Sequence, residues 1–175
     1  MAGDLASNSL AFGVSNNGGN KLDSFLHIDV DLNDAASREA SPWDIAGTVT
    51  VTNTATGHEP DYVAGQVASR PRSEYQGFLV VNVSPGAHVA DLTGATGMWA
   101  AGPDGSSFQL VQRVQLLPGA SATYELRLEL PKSMDVFVLG ASGRSPSISR
   151  HMNGRLVVDV QSEIDRATTQ TTHVE

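Results

Sequence analysis

Apolar and polar residues alternate along much of this chain. In residues 25–32, Leu26, Ile28, Val30 and Leu32 fall on one side, with His27, Asp29 and Asp31 on the other. A period of two marks a strand with one face buried. Residues 45–53 repeat it, with Ile45, Val49 and Val51 inward and Thr48, Thr50 and Thr52 outward. Residues 78–83 are almost continuously apolar, which predicts a strand buried on both faces. Phe108, Leu110, Val114 and Leu116 share a face, and Pro118-Gly119 then predicts a turn. Beyond the turn, Tyr124, Leu126, Leu128 and Leu130 alternate with Glu125, Arg127 and Glu129, until Pro131 ends the run. Apolar runs over 134–139 and 155–160 predict two further strands, and His88–Thr93 a shorter edge strand. A first strand is expected over about 9–15, before a reversal at Asn16-Asn17-Gly18-Gly19-Asn20, because Asn and Gly tolerate positive φ.

No window sustains a helical period. Many short strands separated by turn residues predict an all-β fold, an immunoglobulin-like antiparallel β-sandwich with long loops. The sandwich domain is expected over 1–161, and residues 162–175 form a polar, threonine-rich tail expected to fray. Residues 140–147 have loop composition. Two longer loops are expected over 54–76 and 94–106, and loops of this length are often functional.

Composition narrows the function more than the fold. The chain has 175 residues, enough for one domain with a proper core. Aromatic residues make up 6%, so Val, Leu, Ile and Ala must fill the interior. The net charge of −8 repels phosphate backbones and argues against a nucleic-acid partner. There are no cysteines, which removes disulfides, thiol nucleophiles and thiolate-bound metals. No apolar run is long enough to span a membrane, and the first residues lack the pattern of a signal peptide.

The motifs that tempt a chemical reading are weak. Asp29-Val30-Asp31-Leu32-Asn33-Asp34 opens like a calcium loop, but Asp34 stands where glycine is needed, and the closing Glu39 comes one place early. Strand alternation continues through it, so an outward acidic face is the better reading. Ser142 misses the spacing of a nucleophile elbow, because Gly143 follows it directly. His27, His58, His88, His151 and His173 show no metal-binding interval. No cofactor and no metal are expected. Trp43, Trp99, Met98 and Tyr62 are candidates for a contact surface, since loop aromatics stack on sugars or anchor protein partners.

One stretch is more particular. Asn17-Gly18-Gly19-Asn20-Lys21-Leu22-Asp23-Ser24-Phe25-Leu26 resembles a motif of a bacterial family known as domain of unknown function 4012. In that family an Asn-Lys-Leu/Ile-Asp stretch leads into an aromatic-Leu strand. Further matches follow in order: Val49-Thr50-Val51-Thr52-Asn53, then Pro60-Asp61-Tyr62, then Pro118-Gly119 and the strand to Leu130. The resemblance spans roughly residues 10–160. It implies the carboxy-terminal part of a larger actinobacterial-type protein, anchored by an amino-terminal membrane segment absent from this chain and working in the cell envelope. It carries over no catalytic residue.

The resulting expectation is a non-catalytic, extracytoplasmic module that binds an envelope protein or glycan. The expected contact residues are Glu59, Asp61, Tyr62, Arg70, Arg72 and Trp99. Asn17, Asn20, Lys21 and Asp23 are expected to build structure, with Asp23 accepting backbone N–H bonds and Lys21 pairing with an acidic neighbour. Two alternatives are an enzyme acting on envelope glycans, with Asp29, Asp31, Glu59 and Asp61 as candidate carboxylates, and a structural domain packing on its own amino-terminal region.

Overall fold

The computed structural model describes residues 9–34, 43–65, 70–85, 88–94, 98–130, 138–141, 147–152 and 155–156. Eleven strands run through them: β1 (Ser9–Asn16), β2 (Leu26–Asp34), β3 (Trp43–Asn53), β4 (Tyr75–Val83), β5 (His88–Thr93), β6 (Met98–Asp104), β7 (Ser107–Leu116), β8 (Ser121–Leu130), β9 (Val138–Ala141), β10 (Ser147–Met152) and β11 (Arg155–Leu156). A 3-10 turn over Leu22–Phe25 and one helical turn, α1 (Asp61–Ala64), complete the elements.

The strands form two sheets, one ordered β6-β7-β4-β1-β9 and the other β11-β10-β2-β3-β8-β5. They are called sheets one and two below. Neighbours are antiparallel except β1 with β9 and β2 with β10. The sheets close on one core. Leu10, Phe12 and Val14 of β1, Leu79, Val81 and Val83 of β4, and Leu110, Val114 and Leu116 of β7 line sheet one. Ile28, Val30, Leu32, Ile45, Val49, Val51, Tyr124, Leu126 and Leu128 line sheet two. Each such side chain contributes about 1.5–3 kcal/mol on burial, so the alternation read from sequence is what selects this packing.

The all-β sandwich is therefore the fold. Within sheet two, the order β2-β3-β8-β5 follows the A-B-E-D order of an immunoglobulin sheet, and β4, between β3 and β5 in the chain, crosses to sheet one as strand C does. Sheet one differs from that pattern, because β1 lies between β4 and β9.

Three expectations need correction. Most of the loop expected over 94–106 is strand: Met98–Asp104 is β6, joined to β7 by a tight turn with Gly105 at φ +62°, while residues 95–97 lie outside the described residues. β6 is an edge strand exposed along most of its length, so no apolar alternation marks it, and Pro103 is tolerated there because an edge N–H need not be donated. The stretch 140–147 does not run as loop throughout, because Gly140 and Ala141 end β9 and Ser147 begins β10. β10 was hidden because an arginine, Arg150, takes an inward position opposite Val30 and is buried. In β4 the outward Phe78 and Val80 are only half-buried, so that strand is not equally covered on both faces. Of the runs expected over 134–139 and 155–160, residues 134–137 and 157–160 lie outside the described residues, as do Glu39, Ser142, His173 and the tail.

The acidic stretch Asp29–Asp34 lies in β2, as its alternation implied. Asp29 stands between Thr50 and Ser149, and Asp31 between Thr48 and His151, on the outward side of sheet two. Among the described residues no three His, Asp or Glu side chains are gathered to hold a metal ion.

Candidate functional site

The reversal after β1 is built by side-chain amides. Asn16 Oδ1 accepts the Gly18 N–H at 2.7 Å, an Asx-turn, while Asn16 Nδ2 donates to Asn20 Oδ1 at 2.8 Å and to Asp23 Oδ2 at 3.3 Å. Asn20 Oδ1 also accepts the Leu22 N–H at 3.4 Å, and Asn20 Nδ2 donates to the Glu74 carbonyl at 3.0 Å. Gly19 sits at φ +70°, where a side chain would be strained. The motif is therefore structural in Asn20 and Asp23, while Asn17 acts through its backbone N–H, 2.9 Å from the Gln76 carbonyl. Two details differ from expectation. Asp23 accepts from the Asn16 amide instead of a backbone N–H. Lys21 places its ammonium over the Tyr62 ring, 5.6 Å from the centroid, instead of beside a carboxylate.

The loop after β3 is tied to this turn. The Lys21 N–H donates to the Val63 carbonyl at 2.9 Å. Asn53, fully buried, donates through Nδ2 to the Ser73 and Leu116 carbonyls at 3.0 and 3.1 Å and accepts the Ala55 N–H at 3.1 Å. Glu59 is the second knot. Its carboxylate accepts the Thr56 N–H at 2.6 Å, the Thr56 hydroxyl at 2.9 Å, the Gly57 N–H at 3.0 Å and the Ser73 hydroxyl. The Ser73 hydroxyl, with the Thr56 N–H and hydroxyl behind it, holds the Glu59 carboxyl at about 2, against burial, which pushes it up. Ser73 itself stands at φ +58°, an uncommon conformation for a residue with a side chain. Glu59 on its hydroxyl and Asn53 on its carbonyl hold it there.

Outside these knots the loop presents charge and one aromatic ring. Arg72 forms an ion pair with Asp61 at 2.6 Å and also donates to the Glu59 carbonyl. Arg70 donates to the Gly18 carbonyl at 3.4 Å. Tyr62, in α1, is 70% exposed. Glu59, Asp61, Tyr62, Arg70 and Arg72 are thus gathered with Lys21 at one end of the sandwich. Glu59 is buried there and holds the loop, so its carboxylate does not face solvent.

Trp99 lies elsewhere. It belongs to β6, at the irregularity between Met98 and Ala100, and reaches over the outward face of sheet one. The Arg113 guanidinium, on β7, sits 4.6 Å from the indole centroid. Phe78, directly opposite Arg113 on β4, meets the indole at 5.6 Å and a 43° tilt. Trp99 still keeps 56% of its surface exposed. One row nearer the loops, Glu74 accepts from Gln76 Nε2 at 3.0 Å and from Gln115 Nε2 at 2.7 Å.

No family model, curated protein or solved structure matches the chain.

Sequence reasoning missed Phe78, Arg113, Gln115, Gln76 and Glu74. Their signal was present, because Arg113 and Gln115 are the polar partners of Val114 and Leu116 in the alternation of β7. The register of β4 and β6 against β7, which no local pattern encodes, makes them one surface. Of the remaining contact-surface candidates, Met98 is exposed, while the Trp43 side chain lies outside the described residues.

Proposed function

We propose that this chain is a non-catalytic binding or assembly module of an extracytoplasmic, membrane-anchored cell-envelope protein, and that it contacts an envelope protein or glycan. The observation that carries the reading is the loop end of the sandwich. There a buried carboxylate and three buried or half-buried amides fix the loops, so that Tyr62, Lys21, Asp61 and Arg72 are displayed on a braced surface. Buried, fully engaged polar groups of this kind rigidify a loop, and loops held on a rigid scaffold are where binding residues concentrate.

The distribution of carboxylates supports a non-catalytic role. Glycan hydrolysis needs two carboxyl groups facing one another across a substrate. Glu59 is committed to Thr56, Gly57 and Ser73, and Asp61 to Arg72. Asp29 and Asp31 stand on the outward side of sheet two. The envelope location and the anchor rest on the family resemblance.

Cosedimentation of the purified chain with isolated bacterial envelopes tests the reading. Wild-type protein is expected in the pellet, and a Tyr62→Ala, Lys21→Ala double variant is expected to lose most of that binding while keeping its fold. Equal sedimentation of the two, or none by the wild type, contradicts the proposal. Protease treatment of the envelopes separates a protein partner from a glycan.

A further inference from the structure

The outward face of sheet one carries a flat site that the loops do not contribute to. We propose that Trp99 is the stacking platform of a glycan-binding site on this face, one that takes a pyranose unit of a neutral polysaccharide. The proposal rests on the reading of the chain as a binding module and adds to the loop end a second surface with its own ligand.

The indole is fixed before any ligand arrives. Arg113 covers one side of its ring at 4.6 Å, and Phe78 abuts it at 5.6 Å. Even with these two neighbours in place, 56% of Trp99 stays exposed. A rigid aromatic ring loses little entropy when it binds, which favours it as an anchor. β6 is paired with β7 at Met98 and again from Ala100 to Asp104, on either side of Trp99.

The chemistry around the ring suits a sugar better than a protein. A pyranose offers a face of C–H bonds, partly positive, to the negative π-face of the indole, and directs its hydroxyls outward at the rim. Planar polar groups stand one row further along the same face. Gln115 lies two residues from Arg113 on the same face of β7, roughly 7 Å along the strand. Gln76 lies directly opposite Gln115. Glu74 accepts one N–H from each amide, at 3.0 and 2.7 Å, which turns both amides to a fixed orientation. Neither amide oxygen has a partner among the described residues, so both are available to accept from hydroxyls. A protein hot spot wants instead a desolvated pocket ringed by apolar contacts, whereas Trp99 stands 56% exposed with the Arg113 guanidinium on its ring and Phe78 beside it. The carboxylate of Glu74 and the net charge of −8 disfavour a polyanion.

Native gel electrophoresis through gels containing a soluble polysaccharide tests the site, with mannan, galactan, a β-glucan and polyanionic dextran sulfate as the probes. At least one neutral polymer is expected to retard the wild-type chain. Trp99→Ala is expected to weaken that retardation by roughly tenfold or more. Trp99→Phe should keep part of it, Gln115→Ala should reduce it, and Glu125→Ala, exposed on the outward side of sheet two, should leave it unchanged. Trp99 is exposed on an edge strand, and far-UV circular dichroism confirms that each variant is folded. Retardation by no neutral polymer, retardation by dextran sulfate alone, or retardation that survives Trp99→Ala would each overturn the assignment. If no polymer binds while protease-sensitive envelopes still pull down the chain, the ligand is a protein and the module reading stands without this site.

Discussion

Replacing Glu59 by glutamine should cost this protein more stability than almost any other isosteric change in it. The carboxylate accepts four hydrogen bonds, from the Thr56 N–H and hydroxyl, the Gly57 N–H and the Ser73 hydroxyl, and it is buried. Glutamine keeps one acceptor oxygen but turns an N–H2 group toward the donors that met the other. Hydrogen bonds to a charged group contribute about 1.5–3 kcal/mol each and do not add fully, so a loss of roughly 2–4 kcal/mol at pH 7 follows. For a chain of this size that lowers Tm by roughly 5–15 °C. The pH dependence is the sharper signature. Glu59 is held at about 2 in the folded chain, below the ordinary glutamate value of 4.5. The unfolded state therefore binds the proton first as pH falls, and the carboxylate's contribution is complete above 4.5 and lost progressively down to about 2. Urea unfolding of wild type and Glu59→Gln at pH 7, 4 and 2.5 gives the difference directly. It should be largest at pH 7 and shrink toward pH 2.5. A variant within about 0.5 kcal/mol of wild type at pH 7, or a difference constant with pH, would refute the role assigned to this carboxylate.

Four further outcomes follow from the same structure. Ser73→Gly removes the largest influence lowering the Glu59 carboxyl while relieving a positive φ, so carbon-detected NMR titration should find Glu59 ionising closer to the ordinary carboxylate range. Asn53→Ala leaves the Ser73 and Leu116 carbonyls and the Ala55 N–H without their partner and should cost roughly 2–4 kcal/mol in chemical denaturation. Gly47→Ala sets a Cβ 2.0 Å from the Asp31 carbonyl oxygen on the neighbouring strand, so soluble folded protein should fall sharply, by about 3 kcal/mol of stability or more. Burial pushes the Tyr124 phenol up to about 12 and the Tyr75 phenol higher, with Asp23 adding to the latter. Because the unfolded phenols lose their protons first, stability should decay above pH 10, and absorbance at 295 nm should show two of the three tyrosines resisting ionisation until the chain unfolds or pH nears 12.

The core strands were legible because one face of each is buried and the other wet. Leu26 to Leu32 and Tyr124 to Leu128 alternate in sequence and are buried in the same alternation. β6 was not legible, because an edge strand open to solvent imposes no period on its residues. β10 was concealed by Arg150, whose inward position breaks the apolar alternation. Gln112 is fully buried, donating at 2.8 Å to the Leu92 carbonyl, in a place where an aliphatic residue was the natural expectation. The role of the Asn17–Asp23 stretch as a brace was readable from its turn chemistry, and its bonds to Asn16 are local, but its anchor on Glu74 depends on a contact 54 residues apart in the chain. The same holds for Trp99, whose company of Arg113 and Phe78 is a product of strand register. Local pattern fixes which face a residue takes, and sheet order decides what it meets there.

The most direct test of a braced module with a glycan face is a set of amide and indole NMR spectra recorded while neutral envelope polysaccharide is added. Shifts confined to the Trp99 indole and to β4, β6 and β7 around Phe78, Arg113 and Gln115 are the predicted result. Shifts on the outward side of sheet two, or none anywhere, would contradict it.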